Sequence, residues 1–433
     1  MLSVVIPTHN DVQCLELTLR SLSRQTLARD RFEVVVIKDG PLLGYEGIEQ
    51  HGAGIDLRVE TLPQNLGRSG ARNAGVARAR GDVILFLDAD GYADRDLLAR
   101  HAAFHAESVT PRVLLGKRYE IEWPHMAYVL AEETVPPALL ADVQDLKFAN
   151  LRPEAIAGCM QTPWLFSHSN NISVPRQTIE AVGGFNEEFG RRWGWEDLEV
   201  FYRVYQHLED GAAAFHYDEQ ASSYHLLQHR DQHNNYEDLY ESEIILRRIY
   251  QNIDWEFHSM RPPVDVSAKV RYYREVIEHH LTTGTGRLAP VWDWVSSRVP
   301  ARKGVWIATG TADVPLPDGA VTFDYSAKHN PPSNFHLVGT TIPVPNNSQD
   351  VVVSVDIWRS LHWYDLCDLL REALRVAPYA YLVHNRRADV PHDAMRTAGE
   401  IDYILRALAP RFEITVDHGG DGLSGFAVRR RTR

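Results

Sequence analysis

The chain has little cysteine: Cys14, Cys159 and Cys367 are its only three in 433 residues, odd in number and far apart. That excludes a disulfide framework and the paired-cysteine zinc spacings, and leaves reduced thiols as the expectation. Long apolar runs are missing too, none approaching the roughly 18–20 residues that a membrane helix requires. The opening MLSVVIPTHND lacks the basic segment of a secretory leader and quickly turns polar, so it reads as a strand. Basic residues are in the minority, Lys and Arg 45 against Asp and Glu 58, for a formal charge of −13. A nucleic-acid partner is thereby excluded, because phosphate backbones are held by a cationic surplus. A nucleotide needs only a few local cations and stays open. Internal repeats and low-complexity tracts are also lacking. The expectation is a cytoplasmic protein without a transmembrane segment.

What is present reads as several domains, since 433 residues exceed one ordinary core. Strand and helix patterns alternate over the first hundred residues. Ser3 to Pro7 is a short apolar run, and Asp11 to Gln25 carries Leu15, Leu19 and Leu22 at helical spacing behind an Asn/Asp cap. Phe32 to Ile37 is a β-branched run, Ser69 to Arg80 an Ala-rich helix, and Val83 to Leu87 the next strand. Such alternation predicts a mostly parallel sheet with helices on both faces. From about Tyr236 to Val299 helical spacing dominates, and after Lys303 strands resume in VWIATG, AVTFDY, DVVVSV and YAYLVHN, with a helix over Trp363 to Val376. The predicted division is an α/β domain over 1–235, a helical linker over 236–302 and a second α/β domain over 303–433.

The stretch VILFLDADG, Val83 to Gly91, carries the most chemistry. An apolar strand ends in Asp88 and Asp90, one residue apart, followed by glycine. Ligands sit outside the carboxyl ends of strands in α/β sheets. Two carboxylates so close repel each other unless a cation lies between them, and hard oxygen donors suit Mg²⁺ or Mn²⁺. Taken alone, a D-x-D is as well read as a solvated acidic turn.

Four further segments accompany it: SVVIPTHN, ending in a polar turn at Thr8; VVVIKDG, ending at Asp39; NLGRSGARNAG, a glycine-rich turn with Arg68 and Arg72; and RRWGWEDLEVFYR, from Arg191 to Arg203. Over residues 3–100 this order resembles the GT-A glycosyltransferases, specifically the large inverting family often called family 2. The W-G-x-E-D segment resembles the acceptor-side motif of inverting galactosyl- and N-acetylhexosaminyltransferases. The resemblance implies a Rossmann-like GT-A domain that binds a nucleotide sugar, UDP-linked by expectation. It implies nucleoside contacts from Thr8 and Asp39, a diphosphate or uridine contact from Arg68, and ribose and metal-water contacts from Asp88. Asp90 is implied to bind the metal directly, Mn²⁺ or Mg²⁺, with His225 as a further ligand. The pattern departs at Lys38-Asp39-Gly40-Pro41, where family members carry two acids and then Gly-Ser. Arg72 reads as a packing or salt-bridge residue, and His229 and His233 as bland neighbours of His225.

The resemblance implies that Glu196 and Asp197 lie in the first turn of a helix, whose N-terminal amides favour anions; an acidic capping pair is the plain alternative. Displacing a nucleoside diphosphate from an anomeric carbon needs leaving-group charge stabilised and an acceptor hydroxyl deprotonated. Asp197 is the expected base, Glu196 orients the acceptor, and Trp193 and Trp195 offer rings for stacking on a sugar face.

In the last domain, Val344 to Asn385 resembles the mid-section of class I S-adenosylmethionine-dependent methyltransferases. The cofactor turn there is reduced to Gly310, while Asp324 stands where such enzymes hold ribose hydroxyls. A non-catalytic scaffold of that fold is the expectation. A bifunctional sugar- and methyl-transferring enzyme and a non-catalytic sugar-binding scaffold are the alternatives. The acceptor is not legible.

Overall fold

The computed structural model describes residues 1–148, 150–228, 232–257, 263–300, 303–327 and 333–431. His229 and the expected boundary at 302 fall outside them. The chain divides into two compact units: Met1–Leu246 with Arg261–Ala268, and Arg247–Met260 with Lys269–Arg433. The helical stretch from Tyr236 to Val299 is thus shared between the two units. Both units are mixed α/β, as the alternating patterns predict.

The first unit is built on strands β1 (Leu2–Thr8), β2 (Phe32–Lys38), β3 (Asp56–Thr61), β4 (Val83–Phe86), β5 (Gly91–Ala93), β6 (Val113–Glu120), β7 (Ile172–Pro175) and β8 (Phe215–His225). They form one Rossmann-like sheet in the order β3-β2-β1-β4-β7-β6-β8-β5. β1 to β4 run parallel, with Thr8 opposite Lys38 and Val5 opposite Phe86. Their carboxyl ends therefore deliver Thr8, Asp39 and Asp88 to the same edge. Val4, Val5, Ile6, Val34, Val35 and Val36 are fully buried, which is why β1 and β2 read as unbroken apolar runs. The helix Val12–Leu22 packs Leu15, Leu19 and Leu22 on this core, whereas Asp11 makes no side-chain cap to it.

Two registers on the far side of the sheet matter for chemistry. β5 pairs antiparallel with β8, placing Gly91 opposite His225, and β6 pairs parallel with β8, placing Glu120 opposite His225. Residues far apart in sequence thus become neighbours through strand pairing.

The second unit holds β9 (Gly304–Ile307), β10 (Val321–Phe323), β11 (Val351–Val355), β12 (Tyr379–Asn385), β13 (Phe412–His418) and β14 (Leu423–Arg430). Their order is β10-β9-β11-β12-β14-β13, parallel except for β14. The helix Trp363–Val376 matches its expected bounds and buries Leu366, Leu369, Leu370 and Leu374. Among the described residues no helix is long and apolar enough to cross a membrane.

Candidate active site

The site lies at the carboxyl edge of β1, β2 and β4 and takes further residues from β6, β8 and the helix Glu196–His207. At the ends of β1 and β2, Thr8 is buried and its hydroxyl lies 2.7 Å from the Tyr45 hydroxyl. Asp39 is also buried, and its Oδ1 accepts from the Leu66 amide at 2.7 Å. That bond fixes the turn into the helix Gly67–Arg78. Gly67 has φ +77°, and a Cβ there would overlap the Gly190 carbonyl, so only glycine lets this turn approach so closely. Arg68 is exposed, and its charge partly offsets the rise in carboxyl pKa that burial causes at both Asp11 and Glu196.

Asp88 and Asp90 have different surroundings. Asp88 accepts from Arg72 Nη2 at 3.2 Å through Oδ1, and its Oδ2 faces Arg118 Nη1 at 3.7 Å. Asp90 is buried, with its Oδ2 2.9 Å from His225 Nε2 and also bonded to the Gln228 amide. On the other ring nitrogen, His225 Nδ1 lies 2.8 Å from Glu120 Oε2. Burial opposes protonation of His225, but its bonds to Asp90 and Glu120 outweigh it and raise the pKa.

Asp11, which enters from the turn after β1, is pushed up to about 6 by burial and then by the charge of Asp90. Burial, Asp90 and Asp11 together push the Cys14 thiol up to about 12.

Whether a divalent ion fits can be judged from the donor set. Among the described residues no group of three or more His, Cys, Asp and Glu side chains is arranged to hold one. Both oxygens of Asp88 face arginines. Asp90 and His225 remain as a converging pair. With Nδ1–H given to Glu120, Nε2 carries a lone pair, and a lone pair 2.9 Å from a carboxylate oxygen needs a proton or a cation between them. The pair's carboxylate oxygen and imidazole nitrogen are donors of the kind such an ion takes, with Glu120 on the other imidazole nitrogen.

The acidic pair opens the helix Glu196–His207 as its motif predicts. Glu196 is buried, its Oε1 accepting from Arg72 Nη1 at 3.0 Å while its buried Oε2 accepts no hydrogen bond among the described residues. Asp197 is partly exposed, with Oδ1 on the Leu198 amide at 2.9 Å and Oδ2 on the Ser169 amide at 3.3 Å. Both carboxyls are raised, chiefly by burial; Arg72 opposes the shift in each. Trp193 and Trp195 are partly buried, and the Trp195 indole donates to the Leu239 carbonyl at 3.1 Å. Trp195 has φ +71°, a left-handed backbone that a bulky residue seldom adopts.

Sequence reasoning missed several members of this cluster. Arg118 and Glu120 end β6 in VLLGKRYE, where polar residues after the buried run Val113–Leu115 at a strand's carboxyl end were the available signal. Lys147 carries no comparable signal. It is buried, donates to Asn170 Oδ1 at 2.9 Å and is lowered to about 8, mainly by burial.

Residues 3–171 match the model of the family described as "Glycosyl transferase family 2". Among curated proteins, validoxylamine A glucosyltransferase of Streptomyces hygroscopicus subsp. jinggangensis is 35% identical over 220 residues, covering 48% of this chain and 52% of that protein. Poly(ribitol-phosphate) beta-N-acetylglucosaminyltransferase TarS of Staphylococcus aureus is 31% identical over 140 residues, covering 32% of this chain and 24% of that one. The chain spans about half the length of the first curated relatives it matches. Among solved structures, residues 1–349 of S. aureus TarS in complex with UDP-GlcNAc align with a TM-score of 0.42 at 20% identity, covering 61% of this chain and 69% of that one.

Proposed function

We propose that this protein is a metal-dependent, inverting glycosyltransferase of the cytoplasm that moves a hexose or N-acetylhexosamine from a UDP-linked sugar to an acceptor hydroxyl. One observation carries the reading. The Asp90–His225 pair, the arginine-held Asp88 and the raised carboxyl of Asp197 are linked in one site although they come from distant parts of the chain. The family match over residues 3–171 and the two transferase relatives support it.

In this reading Thr8 and Asp39 contact the nucleoside, Asp88 the ribose, and the exposed Arg68 the diphosphate. Asp90 and His225 would hold Mn²⁺ or Mg²⁺, which supplies Lewis-acid stabilisation of the departing diphosphate. Asp197 takes the acceptor's proton. Its partly exposed carboxylate is oriented by two amides, and its raised pKa brings its basicity closer to neutral pH. Glu196 keeps Oε2 for an acceptor hydroxyl, and Trp193 and Trp195 flank the acceptor. A base opposite the leaving group gives single displacement with inversion. A screen of purified protein against nucleotide sugars with Mn²⁺, following released nucleoside diphosphate, tests the proposal. No release from any UDP sugar, together with no UDP binding in calorimetry, rejects it.

The second unit we read as a methyltransferase-like scaffold. In such sheets a ligand sits where strand order reverses, here between β9 and β11. Asp324, at the end of β10, is already used. Its Oδ2 accepts from the Thr311 amide and hydroxyl, both at 2.7 Å, and its Oδ1 from Ser326. Buried Glu256 likewise takes the amides of Val338, Gly339 and Thr340. Both oxygens of Asp324, the residue expected to hold a cofactor's ribose, are thus taken from within the chain, which favours the scaffold over a bifunctional enzyme.

A further inference from the structure

The two halves of the site are joined by an unbroken run of alternating charge. Glu196 Oε1 meets Arg72 Nη1 at 3.0 Å, and Arg72 Nη2 meets Asp88 Oδ1 at 3.2 Å. Asp88 Oδ2 faces Arg118 at 3.7 Å, and Arg118 Nε meets Glu120 Oε1 at 3.0 Å. Glu120 Oε2 reaches His225, and His225 reaches Asp90. Arg72, Arg118 and Glu196 are each about 95% buried, so water screens their contacts little. One guanidinium spanning two carboxylates is a task that lysine, a point charge on a flexible stem, performs poorly.

We infer that Arg72 and Arg118 are positioning residues for transfer, clamping Asp88 and locking the first turn of the helix Glu196–His207 to the ends of β4 and β6. The inference rests on the glycosyl-transfer reading. The turn needs such a lock. Trp195 is held in a left-handed conformation immediately before the acidic pair, and strain of that kind persists only where surrounding contacts over-determine it. On one side the Trp193 amide bonds Asp238 at 3.0 Å and the Trp195 indole bonds Leu239. On the other side Arg72 reaches Glu196, one residue from the base. Releasing that contact lets Asp197 drift from the reacting centre, while Asp88 keeps Arg118 beside its other oxygen. A misplacement of about 1 Å costs roughly 10²-fold in rate.

The test uses full-length protein carrying Arg72→Gln, Arg72→Lys, Arg118→Gln, Glu196→Gln and the Arg72→Gln/Glu196→Gln double substitution. Readouts are turnover of UDP-glucose and UDP-GlcNAc with Mn²⁺, calorimetric affinity for UDP with Mn²⁺, and thermal midpoints. Arg72→Gln should lower turnover roughly 10²-fold, with UDP affinity within about threefold of wild type. Arg72→Lys, which keeps the charge and guards against loss of folding, should recover less than half of that loss on a logarithmic scale. The double variant should lose less turnover than the product of the two single losses, because both changes break one contact. Arg118→Gln should act in the same direction.

Unchanged turnover in Arg72→Gln overturns the inference, and so does a UDP affinity that falls as far as turnover, which would make Arg72 a donor-binding group. Additive shifts of the thermal midpoint for Arg72→Gln and Glu196→Gln overturn it independently of activity. Wild-type protein that neither binds UDP nor cleaves either sugar donor instead rejects the parent reading.

Discussion

Replacing Asp197 by asparagine keeps the side chain's shape and removes its basicity. An asparagine carbonyl can still accept from the Leu198 amide at 2.9 Å, but its NH₂ then faces the Ser169 amide, donor against donor. The bond lost is the longer one, at 3.3 Å, so the stability cost is about 1–2 kcal/mol. The catalytic cost is larger. Loss of a general base lowers kcat by roughly 10²–10⁴, or about 2.7–5.5 kcal/mol of transition-state stabilisation. Affinity for UDP and metal should stay near wild type, because the proposed donor contacts come from other residues and a group that acts only in the transition state adds little to donor binding. The acid limb of the wild-type pH–rate profile, set by a carboxyl that burial raises, should disappear in the variant. The assay is steady-state transfer beside calorimetry and a thermal melt, with the product's anomeric configuration read by NMR. Normal kcat in Asp197→Asn moves the base elsewhere, Glu196 first, and a product that retains the donor's configuration refutes single displacement.

Excess EDTA should abolish turnover and Mn²⁺ or Mg²⁺ restore it; full activity in EDTA removes the ion from the reaction. Asp90→Ala should lose most UDP-sugar affinity, His225→Ala should weaken Mn²⁺ affinity less, and identical calorimetric affinities in all three proteins would remove both residues from the site. The protein should not bind S-adenosylmethionine, and Asp324→Ala should lower the second unit's melting point with sugar transfer unchanged; a micromolar affinity for that cofactor would favour the bifunctional enzyme. Burial would raise the Glu33 carboxyl, but hydrogen bonds from Ser3, the Arg80 amide and the guanidiniums of Arg58 and Arg80 bring it to about 2. A depressed carboxyl stabilises the fold above its unfolded value near 4.5 and loses that contribution as pH falls towards 2. Melts of wild type and Glu33→Gln should therefore differ at pH 7 and converge between about 4.5 and 2, and a gap that persists at pH 2 contradicts the assignment.

The local code carried a good deal. Unbroken valine and isoleucine runs marked β1, β2 and β4 as strands buried on both faces, and leucines at helical spacing marked the helices at Val12–Leu22 and Trp363–Val376. An apolar run stopped by glycine placed Asp88 and Asp90 just past a strand end, and the resemblance carried by WGWED placed the acidic pair at a helix start. These signals are short-range, because burial periodicity and turn chemistry depend on neighbours in sequence. Which distant partners meet is a different matter. The two-residue period of β6 and β8 shows which faces are apolar but not the register that brings Glu120 and Gly91 alongside His225. Likewise GRSGARNAG marks Arg72 as a packing or salt-bridge residue but does not reveal that Asp88 and Glu196 are the carboxylates it bridges. Nor does the spacing after Asp324 show that Thr311 and Ser326 would take up its oxygens. Pairing register and the choice among several carboxylates and arginines are settled by long-range packing, since a buried charge must find an opposite charge wherever the fold places one. The sequence by itself determined the elements and the chemical types at their ends; the tertiary structure decided which charges are neutralised within the protein and which face the reaction.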